Sequence, residues 1–308
     1  MAEIRGKKII VTGGAGFIGS NLVERLSNNN KVLVIDNLHT GSALNLKGAM
    51  KTGNVKFKRM DSGAISDAGF DADVVFHLGM YSSSPMYRKD PQLLGKVTSG
   101  MVNILEYIRH KEIPLVFAST SSIYNEIKPP HREDAQYHVT DYYTEGRIFC
   151  ERASALYNRM HGCNIAAMRF FSVYGYHEEA KKGYANIVTQ FMWEMQKGHR
   201  PIVYGDGSQR RDFVFVTDVV EALVRASRVR GFGIFNVGAG KSYSFNQVVS
   251  ILNSKMGKKI KPKYVEVPVK NMFAVETLAD TSKASKVLGF RAGISLEEGI
   301  SLLLREKE

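Results

Sequence analysis

The chain has 308 residues, 44% of them hydrophobic, with a formal net charge of +12. That length can bury a large core and excludes a small module, while the scarcity of cysteine, Cys150 and Cys163 alone, excludes a disulfide framework or a thiolate metal site. No stretch stays apolar for the roughly 18 residues a membrane span needs, and Met1-Ala2-Glu3-Ile4-Arg5 lacks a signal-peptide core, so the expected location is the cytoplasm.

The first predicted strand, Lys8-Ile9-Ile10-Val11, runs into Thr12-Gly13-Gly14-Ala15-Gly16-Phe17-Ile18-Gly19-Ser20 and then into a helical pattern at Asn21–Leu26. Gly13, Gly16 and Gly19 suit a sharp turn from strand to helix: the first frees the backbone, the second admits a pyrophosphate, and the third lets helix pack on strand. The helix N-terminus then faces the phosphates. A second strand, Lys31–Asp36, closes on an acid, as a dinucleotide requires for its ribose hydroxyls. Because a carboxylate there repels a 2′-phosphate, the spacing predicts NAD rather than NADP.

Further β-branched runs follow at Val55–Met60, Asp73–Leu78, Pro114–Ser119 and Ile165–Phe171, separated by helix-length segments that include Pro91–His110 and Tyr143–His161. This pattern predicts a Rossmann-type, doubly wound parallel α/β sheet. After Phe171 glycine-rich turns such as Tyr204–Ser208 alternate with short strands and amphipathic helices. Residues 1–171 are expected to form the NAD-binding domain, with segments at about 211–240 returning to it, and residues 172–308 a smaller interleaved substrate-binding region. The lysine-rich run Lys255–Lys263 reads as a helix end, loop and strand with a solvated face, so nucleic acid is not an expected partner. His177-Glu178-Glu179 lacks a second histidine at helical spacing and reads as a surface loop rather than a metal site.

Several motifs occur in a telling order: TGGAGFIGS at Thr12–Ser20, Asp36-Asn37-Leu38, Val74–Leu78, Thr120-Ser121-Ser122-Ile123-Tyr124 and Tyr143…Arg147. With them the chain resembles the extended short-chain dehydrogenase/reductases. Arg169–Gly175, Gly205–Val214 and Leu278–Ala284 look like the substrate half of nucleotide-sugar epimerases. The resemblance spans nearly the whole chain and implies bound NAD, a nucleoside-diphosphate sugar such as a UDP-sugar, and a homodimer joined through the two long helices. It would place Gly13, Gly16, Phe17, Ile18 and Gly19 at the pyrophosphate, Asp36 and Asn37 at the adenosine ribose, and Asp61 at the adenine. His77 is expected to pack beneath the sheet without a chemical role.

Oxidising a sugar carbinol needs a base for its hydroxyl proton. Tyr143 is the candidate, because Arg147 lies four residues on along one helix face, where a cation favours the phenolate and can reach the nicotinamide ribose. Lysine is usual there in the family, and arginine substitutes a planar fork for a compact ammonium. Tyr142 has Gly146 at the corresponding spacing and lacks the cation. Thr120 is expected to orient the reacting hydroxyl, with Ser121 and Ser122 as alternatives and one of the three capping the next turn. The related dehydratases and decarboxylases carry an acid among these positions. This chain has none, which points to oxidation followed by re-reduction.

The resemblance puts Asn186 and Arg211 at the diphosphate, Arg211 as a bidentate donor or, failing that, a salt-bridge partner of Asp212. The asparagine usual after the paired aromatics is Ser172, and the arginine expected before Ala279-Asp280 is absent, leaving Lys270, Asn271 and Met272 nearby. The loops around Met80–Tyr87 and Tyr176–Tyr184 would shape the sugar pocket. The expected activity is a UDP-glucose/UDP-galactose 4-epimerase. Its rivals are an ADP-heptose-type 6-epimerase and a protein that binds NAD and a sugar nucleotide without turnover.

Overall fold

The structure is a computed structural model that describes residues 3–139, 141–266 and 275–306. Its strands are β1 (Lys8–Thr12), β2 (Lys31–Asp36), β3 (Val55–Arg59), β4 (Val74–His77), β5 (Leu115–Thr120), β6 (Ile165–Phe170), β7 (Ser172–Tyr174), β8 (Ile202–Tyr204), β9 (Arg210–Phe215), β10 (Phe232–Val237), β11 (Ser242–Ser244) and β12 (Lys263–Val265). The helices are α1 (Phe17–Ser27), α2 (Lys47–Met50), α3 (Ser84–Lys89), α4 (Leu93–Lys111), α5 (Tyr142–His161), α6 (Ile187–Gln196), α7 (Val216–Ala226), α8 (Phe245–Met256) and α9 (Leu296–Arg305).

Seven strands form one parallel sheet in the order β10-β6-β5-β4-β1-β2-β3. Side chains alternate across a strand, so Ile9 and Val11 enter the core beneath α1 and α7, whereas Ile10 enters the core beneath α4 and α5. A sheet buried on both faces requires the near-continuous apolar strands that the sequence displays. The doubly wound α/β architecture is therefore as the sequence predicts. The chain runs outward from β1 through β2 to β3, then crosses to β4 on the other flank of β1. Between β1 and β4 the crossovers diverge, and a crevice opens at the carboxyl ends of the strands there.

Beyond β6 the chain leaves and returns. The strands β11-β9-β7 make a small sheet and β12-β8 another, packed with α6, α8 and α9 around a third core that includes Phe191, Phe213, Val248 and Ile300. Helix α7 and strand β10, by contrast, rejoin the large sheet, β10 as its outermost strand beside β6. No helix among the described residues is long and apolar enough to cross a membrane.

The tripeptide His177-Glu178-Glu179 corrects one expectation. Although a surface loop was predicted, Glu178 is buried, its Oε1 accepting the Asn186 backbone N–H at 2.8 Å and its Oε2 the Thr189 hydroxyl. His177 Nδ1 meets the Ser20 hydroxyl at 2.9 Å, tying this segment to α1. Charge alone marks a residue as exposed only where no buried partner awaits it.

Candidate active site

A cavity of about 360 Å³ lies over the carboxyl ends of β1, β2, β4 and β5, bordered by the segment that follows β6. Its wall includes Gly13, Gly16, Phe17, Ile18, Gly19, Asp36, Asn37, Asp61, Thr120, Ser121, Ser122, Tyr143, Arg147, Ser172 and Asn186. Residues scattered over much of the sequence thus converge on one crevice.

The glycine turn is tight enough to explain its composition. Gly13 has φ +68°, and a Cβ there would sit 2.5 Å from the Gly79 nitrogen; a Cβ on Gly19 would sit 2.0 Å from the Gly13 carbonyl oxygen. The first clash would close the passage between the β1 and β4 ends, and the second would push α1 off the turn. Gly16 caps α1 with no side-chain hydrogen bond, so the helix's first N–H groups face the cavity without a competing protein oxygen from the cap. Asp36 at the end of β2 accepts from Ala15 N at 3.0 Å and Leu38 N at 2.7 Å. Burial pushes its carboxyl above the ordinary value, and these N–H groups oppose that rise. Asn37 caps its own turn through His39 N at 3.0 Å, and Asp61 does the same through Gly63 N at 2.9 Å.

Helix α5 starts at an Asp141 cap, whose side chain accepts from Thr144 N at 2.7 Å. That start puts Tyr143 in the first turn and Arg147 one turn below it, with the guanidinium 5.0 Å from the Tyr143 ring centroid. Tyr142 points elsewhere and is half exposed. Arg147 is buried, and its terminal nitrogens donate to Met80 Sδ and the Tyr81 carbonyl, both at 2.8 Å. Burial works against its charge, but the neighbouring Tyr143, Tyr87 and Cys150 hold its pKa above the ordinary value. Here the broad fork anchors the loop after β4 to α5 through two separate nitrogens.

Thr120 ends β5 and resolves the three-way choice of cap: its Oγ1 accepts from Ser122 N at 3.1 Å. A hydroxyl used as an acceptor keeps its hydrogen free to donate. Its neighbour Ser119 is committed, donating to Glu151 Oε1 at 2.6 Å. Glu151 in turn holds Arg169 by Nε at 2.9 Å and Nη2 at 2.7 Å, and Arg169 Nη1 reaches the Tyr124 hydroxyl at 2.6 Å. This buried lattice fixes the end of β5 where Thr120 stands. Its two charges lie eighteen residues apart on a helix and a strand, so no local periodicity announces the pair.

The substrate half departs from expectation in places. Asn186 lines the cavity, yet its Oδ1 caps α6 through Val188 N at 3.0 Å and its Nδ2 donates to the Val173 carbonyl at 2.9 Å, leaving one amide hydrogen for a ligand. Arg211 does not line this cavity; it donates to the Arg210 carbonyl at 2.7 Å and lies 5.6 Å from the Phe245 ring centroid. The Arg211–Asp212 salt bridge is not formed, because Asp212 is taken by the N–H groups of Ala239, Gly240 and Ala279. Desolvation lowers the Arg211 pKa to about 10. Lys270 lies outside the described residues. Lys181, Tyr184, Met80 and Tyr81 line the cavity as well, in loops the sequence marked but without residues it singled out.

His77 packs within the sheet, its Nδ1 2.7 Å from the Thr12 hydroxyl. Burial, aided by the Arg147 charge, pushes its pKa from 6.5 down to about 3. The folded state therefore keeps His77 neutral while the unfolded chain protonates below about pH 6.5. Stability present above that pH is lost as pH falls toward 3, by about 2 kcal/mol between pH 6.5 and 5. Urea midpoints at pH 7 and pH 5 will show this loss, reduced in His77→Gln; equal slopes for both proteins would remove His77 from the account.

The glycine turn, the acid after it and the tyrosine–cation helix share one crevice, and a family model covers them. A model described as the NAD dependent epimerase/dehydratase family matches residues 9–238. The chain belongs to this family. It is 34% identical over 305 residues to a putative UDP-glucose 4-epimerase of Methanocaldococcus jannaschii, covering 95% of each chain. It is also 30% identical over 305 residues to UDP-glucuronic acid decarboxylase 6 of Arabidopsis thaliana, covering 96% of this chain and 87% of the relative. Among solved structures, UDP-N-acetylglucosamine 4-epimerase from Methanobrevibacter ruminantium, in complex with UDP-N-acetylmuramic acid, superposes with a TM-score of 0.90 at 26% identity, covering 99% of this chain and 100% of that one. NAD is the family's cofactor, and these relatives are named for reactions of nucleotide sugars, both epimerisation and decarboxylation.

Proposed function

We propose that this protein is an NAD-dependent UDP-sugar 4-epimerase that interconverts UDP-glucose and UDP-galactose. The observation that carries the reading is the chemistry at the end of β5. Thr120, Ser121 and Ser122 face the cavity beside Tyr143, and the described cavity wall has only two carboxylates, Asp36 and Asp61, at the ends of β2 and β3. A hydroxyl and a phenol can manage a carbinol proton; elimination or loss of carbon dioxide from a keto-sugar calls for an acid that these positions lack.

In this reading NAD lies with its pyrophosphate on Gly13, Gly16, Phe17, Ile18 and Gly19, its adenosine ribose on Asp36 and Asn37, and its adenine beside Asp61. Bound NAD supplies a hydride acceptor and then the returning hydride. Tyr143 takes the proton of the sugar hydroxyl and gives it back, with the Arg147 guanidinium 5.0 Å from its ring centroid. Thr120 donates its free hydroxyl hydrogen to the same oxygen and fixes its direction. Ser172 and Asn186 line the substrate side, Lys270 is assigned to it by sequence alone, and a homodimer through α4 and α5 is part of the reading. Because Arg147 also anchors Met80 and Tyr81, Arg147→Lys is expected to lower kcat roughly tenfold; a gain would favour a binding protein that has lost turnover.

The test is incubation of purified protein with UDP-galactose, no NAD added, followed by proton NMR of the sugar. Conversion to UDP-glucose supports epimerisation with a retained cofactor. An unchanged spectrum, even with NAD added, overturns this substrate pair and directs the same assay to other nucleotide sugars.

A further inference from the structure

The wall of the cavity carries two basic side chains of the Arg/Lys type among the described residues, Arg147 and Lys181. Arg147 donates through both terminal nitrogens to protein atoms. Lys181 is different. Its side chain is 18% exposed, and its Nζ lies 3.8 Å from Glu178 Oε1, beyond hydrogen-bonding reach. Its other contact is the face of the Phe17 ring, 5.2 Å from the centroid, at the first residue of α1.

Glu178 is held in place by its own hydrogen bonds, its two oxygens accepting the Asn186 N–H and the Thr189 hydroxyl. The ammonium is thus charge-compensated by Glu178 without a hydrogen bond to it, and burial lowers its pKa despite the Glu178 charge. Three donors on a half-desolvated cation in a cavity wall are a place for a ligand oxygen. The second half of the chain supplies no other free cation to this cavity among the described residues, since Arg211 does not line it.

We propose that Lys181 is an anion-binding residue of the cavity, donating through Nζ to an anionic oxygen of the nucleotide sugar, either a diphosphate oxygen or a sugar carboxylate. Glu178 is then its positioning residue: it holds the ammonium over the Phe17 ring while leaving the ligand to satisfy its hydrogens. This inference rests on the nucleotide-sugar reading above, and deepens it by naming a contact outside the motifs.

Isothermal titration with UDP, UDP-glucose, UDP-glucuronate and NAD separates the possibilities, on wild type, Lys181→Met, Lys181→Arg and the charge-neutral pair Lys181→Met/Glu178→Gln. The pair guards against a single variant that fails to fold around an uncompensated Glu178. Loss of about tenfold or more for UDP and both sugars, recovered in part by Lys181→Arg, supports the proposal with the diphosphate as ligand. A loss confined to UDP-glucuronate supports it with the carboxylate. Unchanged binding of all three, or a loss for NAD alone, overturns it. A wild type that binds none of the three uridine ligands overturns the UDP-sugar reading and this contact with it, whereas weakened binding without any epimerisation sustains Lys181 and removes only the epimerase reading.

Discussion

Replacing Tyr143 with phenylalanine should leave the protein folded and able to bind NAD, and lower kcat about a thousandfold. The ring is what packs: it lies edge-on to Tyr87 at a centroid distance of 5.6 Å and beneath the Arg147 guanidinium, and phenylalanine keeps both contacts. The hydroxyl is what reacts, because no other phenol in the first turn of α5 has a cation one turn below. Thermal midpoint and NAD titration check the first half of the expectation, and NMR-followed turnover of the accepted sugar checks the second. A variant retaining more than a tenth of wild-type kcat would move the proton to another group and undo the assignment of Arg147 as well.

The largest effect on stability is expected from Arg169→Met. Arg169 and Glu151 have side chains only 1% and 2% exposed, joined by a two-pronged pair. Burial works against the Arg169 charge, and Glu151 with Tyr124 more than restores it. Removing one partner strands the other in a dry environment, at a cost of about 3–5 kcal/mol. Replacing both, as Arg169→Met/Glu151→Leu, should recover much of that loss, since the desolvation of two ions disappears together with their attraction. Urea denaturation of the three proteins at pH 7 tests this. A single variant that costs less than about 1 kcal/mol, the range of an exposed pair, would mean the pair is solvated and does not brace the end of β5.

What the sequence discloses and what it conceals divides along physical lines. The turn is legible because steric clash leaves no other residue at Gly13 and Gly19, and Asp36 because a strand end beside that turn has one obvious task. Tyr143 and Arg147 are legible because a helix's own period sets them on one face. The resemblance supplied Thr120, which local reasoning left as one of three hydroxyls. By contrast, Glu178 and Lys181 were hidden. A run of charged residues reads as solvent-facing unless the partners waiting for it are known, and these come from α6 and α1. Arg211 was placed by motif alone, but the direction of a long side chain depends on its surroundings, here Phe245 and its own backbone. The Glu151–Arg169 pair depends on which helix packs on which strand.

One feature of the sheet bears on how the molecule is made. Strand β6 finds its outer neighbour only in β10, which the ribosome delivers more than sixty residues later, after the whole of β7, β8 and β9. Until then a nascent chain carries an open, apolar parallel edge, the kind of surface that attracts other strands. The two halves therefore cannot mature one after the other as independent beads. A polypeptide severed near residue 171 is expected to yield a sticky first fragment rather than a cofactor-binding domain, and the pieces should regain solubility only when produced together.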